Sequence, residues 1–197
     1  MSDSQHGRRS IRLERFDYSL KGAYFITICV KDHKCLFGRI AEGKMELNRF
    51  GEIAKVELVR SPEIRKEILI DTFAIMPNHI HILAMITVGA NGGSPFNQSE
   101  NRQANGGSPL PRMRRKSISS FVAGYKSSST KQINVLRGTP GAEFWQRNYY
   151  EHIVRNEVEL NKTRQYIELN PLQWKFDREN EHRVENEEYA KLWEDVL

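Results

Sequence analysis

Cysteine is nearly absent: Cys29 and Cys35 are the only two among 197 residues. Their spacing fits no zinc motif and there is no second cysteine pair to complete one, so both read as reduced packing residues. Long apolar runs are missing too. No stretch approaches the roughly 20 apolar residues that span a bilayer, and residues 1–15 are polar and basic, without the apolar centre of a secretory signal. The expected setting is the cytoplasm, with no membrane partner. Acidic residues are scarce relative to basic ones except at one end. Residues 177–197 hold eight acidic and three basic residues, so a net +5 chain splits into a +10 body and a −5 tail. A basic body points to a polyanion, of which nucleic acid is the commonest, and the acidic tail is expected to lie over the groove and compete with it.

What is present reads as one domain, 1–176, followed by the tail at 177–197. Ala23 to Val30 is β-branched and aromatic and predicts a buried strand. Leu36 to Ile40 and Lys44 to Leu47 predict a hairpin turning at Glu42-Gly43, and Glu52 to Arg60 an amphipathic helix ending near Pro62. Two strands, Ile68 to Ile75 and His79 to Val88, are joined by the turn formers Pro77 and Asn78. Residues 89–116, rich in Gly, Asn, Ser and Pro, predict a flexible inserted loop that ends in Arg112, Arg114, Arg115 and Lys116. Helices are predicted from Ser117 to Val135 and from Glu157 to Leu169, with an aromatic segment at Phe144 to Val154 between them and one more short helix at Glu185 to Trp193. The order predicts an α+β sandwich, mainly antiparallel, with helices on one face.

Two features can carry chemistry. His79 and His81 are two apart on a strand and therefore share a face, as two ligands of one divalent ion or as two half-buried histidines. Tyr125 lies on the helix after the basic loop. It is either a packing residue or a nucleophile, because a nearby cation favours the phenolate. Together, an ion that polarises a phosphoryl oxygen and a tyrosine that attacks phosphorus make a phosphodiester-cleaving pair.

Several separate segments then resemble the REP-associated tyrosine transposases, a branch of the single-tyrosine enzymes with a His-hydrophobic-His (HUH) motif. They are Arg8-Arg9-Ser10-Ile11-Arg12-Leu13 leading into Gly22-Ala23-Tyr24-Phe25-Ile26-Thr27, Met76-Pro77-Asn78-His79-Ile80-His81, Phe144-Trp145-Gln146-Arg147-Asn148-Tyr149-Tyr150-Glu151-His152-Ile153-Val154-Arg155, and the stretch from Tyr166-Ile167 to Asn170-Pro171. The resemblance implies a ferredoxin-like sandwich with the histidine pair on a central strand, a bound Mg²⁺ or Mn²⁺, and cleavage and rejoining of single-stranded DNA hairpins (REP-like palindromes) through a 5′-phosphotyrosine. It implies His79 and His81 as metal ligands and Tyr125 as the nucleophile. Relatives place a glutamine ligand one helical turn after the tyrosine. That position is Ser129 here, with Gln132, Glu151 and His152 as alternatives. A monomer and a homodimer fit equally.

The expected DNA contacts are Arg8, Arg9, Arg12, Arg112, Arg114, Arg115, Lys116, Lys126, Arg147 and Arg155 on phosphates, with Trp145 and Tyr149 stacking on bases. Two rivals stand beside this reading: a catalytically silent hairpin-binding module derived from a transposase, and a hydrolase in which the metal activates water. No Asp or Glu stands near the histidine pair in the sequence, which disfavours the hydrolase.

Overall fold

A computed structural model of the chain describes residues 21–87, 116–194 and 196. The basic arm, with Arg8, Arg9 and Arg12, lies outside them, as does the inserted segment with Arg112, Arg114 and Arg115; Lys116 is the first residue described after it. Six strands form: β1 Gly22–Cys29, β2 Gly38–Ala41, β3 Lys44–Leu47, β4 Ile68–Ile75, β5 His79–Ile86 and β6 Tyr150–Val154. β2 and β3 pair as a separate hairpin, while the other four make one antiparallel sheet in the order β4-β5-β1-β6. β1 and β5 are thus interior strands. β5 is buried at every position and β1 at all but its first, which is why their sequences are nearly continuous apolar runs. Their register sets Thr27 opposite His81 and Cys29 opposite His79.

The helices are α1 Arg49–Ile64, α2 Ile118–Arg137, α3 Glu157–Leu169 and the short α4 Glu187–Leu192. Local signals place their ends. The Asn48 side chain accepts from the amides of Phe50 and Gly51, so α1 starts earlier than its apolar periodicity suggests. Gly51 is required there, since a Cβ would stand 2.4 Å from the Phe37 carbonyl oxygen. Ser117 and Ser120 cap each other's backbone amides at the start of α2, and Gly138, at φ 66°, closes its end. Asn156 caps α3.

The sheet separates two hydrophobic clusters. On one face Tyr24, Ile26, Ile28, Ile80 and Ile82 meet Ala54 and Leu58 of α1 and Phe121, Val122 and Tyr125 of α2. This is the expected helical layer. On the other face Phe25, Leu83 and Met85 meet Leu160, Tyr166 and Ile167 of α3 together with Tyr189, Trp193 and Val196. The segment beyond residue 177 thus contributes buried residues to the fold. Its acidic residues are mostly exposed while Tyr189, Trp193 and Val196 turn inward. Arg164 of α3 bonds both carboxylate oxygens of Asp71 on β4, at 2.7 and 2.8 Å, which fixes how α3 lies across the sheet. Among the described residues no helix is long and apolar enough to cross a membrane.

Candidate metal centre and its tyrosine

Strand alternation sends His79 and His81 to the α3 face, where both are buried and their Nε2 atoms lie 2.9 Å apart. Asn78 sets the first ring. Its Nδ2 donates to the carbonyls of His33 (3.1 Å) and Glu179 (2.7 Å), so its Oδ1 must face His79 Nδ1, 2.8 Å away. His79 therefore carries its proton on Nδ1 and turns the Nε2 lone pair inward. His81 Nδ1 meets the Thr27 hydroxyl at 2.9 Å. A hydroxyl both donates and accepts, so Thr27 lets His81 offer Nε2–H to its neighbour or a lone pair to a cation.

The third member is Asp177, from the turn after α3. Its Oδ2 is 3.7 Å from His81 Nε2 and 4.0 Å from His79 Nε2, and it is fully buried. No carboxylate neighbours the pair along the sequence. Asp177 corrects the expectation drawn from this: the fold returns the chain to the β5 face only after α3. Asp177 Oδ1 accepts from the Glu179 amide at 2.7 Å, and Oδ2 accepts from Asn170 Nδ2 at 2.9 Å.

This donor set fits a divalent cation. Burial, reinforced by His81, lowers the His79 pKa to about 4 against the pull of Asp177 and Glu179, so that ring is neutral at pH 7. Burial alone would raise the Asp177 carboxyl, but the imidazoles and the Asn170 amide outweigh it and hold it well below the usual carboxylate range. One ionised carboxylate thus sits in a dry pocket beside a neutral imidazole, with ligand atoms within 4.8 Å of one another. A buried charge of this kind needs a counter-charge. Asn170 Oδ1 is also buried and lacks a hydrogen-bond partner among the described residues, which leaves an amide oxygen beside the carboxylate.

Tyr166 completes the cluster. Its hydroxyl lies 3.4 Å from His81 Nε2 and donates to Asp177 Oδ2 across 3.4 Å. The ring is clamped edge-on by Phe25 (5.7 Å between centroids) and by His81 and Trp193 (both 5.2 Å). Burial, followed by the charge of Asp177, pushes this phenol well above its ordinary pKa. Asn170 follows Tyr166 by one helical turn and so shares its side of α3. The Tyr166 hydroxyl and the Asn170 amide thus both reach Asp177 Oδ2 from one side of α3.

The structure separates Tyr125 from the histidines by the thickness of the sheet. Tyr125 packs in the α1–α2 cluster, donates its hydroxyl to the Ala54 carbonyl at 3.0 Å, and has a phenol raised well above its ordinary pKa, by burial first and Glu57 second. Ser129 donates to the Tyr125 carbonyl and accepts from Trp145 Nε1 at 3.0 Å. Gln132 lies on α2, on the far side of the sheet from the pair. Glu151 accepts from the Tyr149 hydroxyl, and His152 is paired with Glu159.

Several expected DNA contacts have structural roles. Trp145 is buried against Phe37, Phe144 and Tyr125. The Lys126 ammonium donates to the carbonyls of Gln146 (2.8 Å) and Asn148 (3.0 Å), and burial lowers its pKa to about 8. Tyr149 is half-buried and bonds Ser119 and Glu151. Lys116, Arg147 and Arg155 are exposed.

No protein-family model matches the chain. A protein of Haemophilus influenzae (strain ATCC 51907 / DSM 11121 / KW20 / Rd), described only as uncharacterized, is 35% identical over 175 residues, which cover 88% of this chain and 93% of that one. The chain belongs to that protein's family. Among solved structures, a REP-associated tyrosine transposase bound to a REP hairpin superposes with a TM-score of 0.52 at 16% identity, over 83% of this chain and 74% of that one. At that identity the likeness is one of fold: an α+β domain built on an antiparallel sheet.

Proposed function

We propose that this protein cleaves and rejoins single-stranded, hairpin-containing DNA through a covalent 5′-phosphotyrosine, with Tyr166 as the nucleophile and His79, His81 and Asp177 as the ligands of Mg²⁺ or Mn²⁺. The observation that carries the reading is the position of the Tyr166 hydroxyl, in reach of both His81 and Asp177 on one face of the sheet. The sheet order β4-β5-β1-β6 supports reading the domain as a ferredoxin-like sandwich, and the similar fold of a hairpin-bound transposase supports the substrate class.

A divalent ion held by these ligands would polarise a phosphoryl oxygen and offset the charge that develops on it. The protein's own groups do the rest. The Tyr166 oxygen attacks phosphorus as its proton passes to Asp177 Oδ2, the acceptor that the phenol already faces; the bond to the 3′ oxygen breaks, and that oxygen takes up one proton and leaves as a 3′-hydroxyl, so the step neither gains nor loses a proton. The phosphodiester energy is kept in the tyrosine–phosphate bond, so the reverse attack by a 3′-hydroxyl rejoins DNA without ATP. With one carboxylate and two neutral imidazoles as donors, a bound divalent ion leaves the centre with net positive charge, which suits a phosphodiester.

The centre is closed in this structure. Tyr166, His79, His81 and Asp177 are at most 1% exposed, beneath Trp174, Tyr189 and Trp193. Entry of a phosphate therefore requires the stretch with Tyr189 and Trp193 to lift while the turn carrying Asp177 stays in place. The same closure favours a second reading, a hairpin-binding module whose tyrosine stays protonated and silent.

The deciding experiment incubates the protein with labelled single-stranded hairpin DNA from beside its own gene and Mn²⁺, followed by denaturing electrophoresis. A covalent adduct that disappears in Tyr166→Phe and with chelator, and persists in Tyr125→Phe, supports the mechanism. Hairpin binding with no adduct and no cut product supports the silent module. Cutting without an adduct supports the water-activating hydrolase, which Asp177 makes chemically reasonable.

A further inference from the structure

Beside the histidine pair lies a second group of donors that the DNA chemistry does not use. Cys29 ends β1, directly across from His79 in the ladder; His33 follows in a short 3₁₀ turn, Lys31–His33; Glu179 lies two residues past Asp177. Cys29 Sγ is 3.4 Å from Glu179 Oε2, His33 Nδ1 is 3.5 Å from the same oxygen, and the three ligand atoms lie within 4.8 Å of one another.

We propose that Cys29, His33 and Glu179 form a separate, thiolate-containing site for a zinc-like divalent ion, which fastens the turn carrying Asp177 to the end of β1.

The spacing supports it. Zinc bonds of about 2.3 Å to sulfur and about 2.0–2.2 Å to nitrogen and oxygen, at tetrahedral angles, put neighbouring ligand atoms roughly 3.4–3.6 Å apart. Both contacts to Glu179 have that length. A hydrogen bond accounts less well for the His33 contact, because N–H···O bonds cluster at about 2.7–3.2 Å. The backbone is also set for it. Asp32 and His33 adopt φ of 57° and 49°, a left-handed conformation that non-glycine residues rarely take, and this turns His33 toward Glu179. Asn78 holds the ligand backbones by donating from one amide nitrogen to the carbonyls of both His33 and Glu179. Its oxygen receives His79, so a single side chain forms the wall between the two sites.

Charge and softness separate the two ions. A thiolate and a carboxylate cancel a divalent charge, which suits a site where Cys29 and Glu179 are buried. Sulfur selects zinc-like ions over Mg²⁺, while the His79 group offers only nitrogen and oxygen. Cys29 gives up its thiol proton to solvent on binding, and the fourth position opens beside the half-exposed His33.

The test is a Co²⁺ titration of the metal-stripped, reduced full-length protein, followed by optical absorption, with Zn²⁺ stoichiometry measured in parallel. A thiolate-to-cobalt charge-transfer band is expected in the wild type. It should persist in Cys35→Ser and His81→Ala and vanish in Cys29→Ser. Glu179→Gln and His33→Ala should weaken Co²⁺ binding at this band by more than the roughly hundredfold that losing an outer-shell partner costs. His81→Ala should lose the other ion alone. A wild type without the band overturns the proposal, as does a band that survives Cys29→Ser or disappears with Cys35→Ser.

Discussion

Two tyrosines, one on each face of the same sheet, look alike by burial and differ in what their hydroxyls meet. Tyr125 of α2 and Tyr166 of α3 are both buried, packed among aromatic rings, and held protonated. Tyr125 spends its proton on a main-chain carbonyl of α1, a partner that does not titrate. Tyr166 faces an imidazole and a carboxylate at 3.4 Å, longer than a good O–H···O bond, and so is loosely held beside groups that can change charge. The first is an anchor between two helices. The second is placed beside titratable side chains, and among the described residues the C-terminal segment closes over it and not over the α1–α2 face.

The largest difference should appear in covalent chemistry. Tyr166→Phe is expected to lower adduct formation on hairpin DNA by on the order of 10⁴-fold or more, as loss of a nucleophile does elsewhere, whereas Tyr125→Phe leaves the rate within a few-fold. Single-turnover gels of both variants measure it. An adduct that survives Tyr166→Phe and fails in Tyr125→Phe would return the role to α2 and require that helix to act from another copy of the chain.

Next in size is packing. Tyr125→Ala removes a fully enclosed ring from the α1–α2 cluster and should cost about 3–5 kcal/mol of stability by denaturant unfolding. The equivalent opening on the other face is Trp193→Ala. It should cost a similar amount, and unlike Tyr125→Ala it uncovers Tyr166, so its quenching or modification by solvent reagents should rise.

The faces also differ in pH response. His79 has a folded pKa of about 4 against an ordinary value of 6.5, so the unfolded chain binds more protons between those values. Stability of the chelator-treated protein should therefore be flat in this term above pH 6.5 and fall as pH drops from 6.5 toward 4, by roughly 3 kcal/mol in all. His79→Asn should remove that slope, and Tyr125→Phe should leave it unchanged. Added Mn²⁺ should steepen it in the wild type, because ion and proton compete for the same ring.

Local signals carried much of the fold into the sequence. The bounds of β4 and α3 match their apolar patterns, Ser117 and Gly138 mark the ends of α2, and the His-Ile-His alternation reads directly as two ligands on one face. The centre was legible only in part because its members are set by long-range return of the chain. Asp177 joins His79 and His81 after α3 has crossed the sheet, and no spacing rule connects them. Tyr125 and Tyr166 each lie on an amphipathic helix, and which face of the sheet each helix covers depends on the strand order β4-β5-β1-β6, which periodicity does not encode. A signal for Tyr166 was present all the same: Asn170 follows it by one turn, the spacing at which a second polar ligand shares the tyrosine's side of a helix. The charge split carried no sign of the inward side of the last segment, because its eight acids surround three residues, Tyr189, Trp193 and Val196, that pack over the centre.

The smallest expected effect sharpens the comparison most. Removing one hydroxyl from each tyrosine leaves both rings in place. In Tyr125→Phe a short bond from a buried donor is lost, and the cost should be about 1 kcal/mol. In Tyr166→Phe two long, poorly made contacts are lost, so the chelator-treated protein should change by less, within about 0.5 kcal/mol. Paired urea titrations at neutral pH read the difference. A Tyr166→Phe penalty equal to or above that of Tyr125→Phe would make the Tyr166 hydroxyl a structural bond like its counterpart. The reverse order, with covalent activity lost only in Tyr166→Phe, is the signature of a group kept for reaction at little cost to folding.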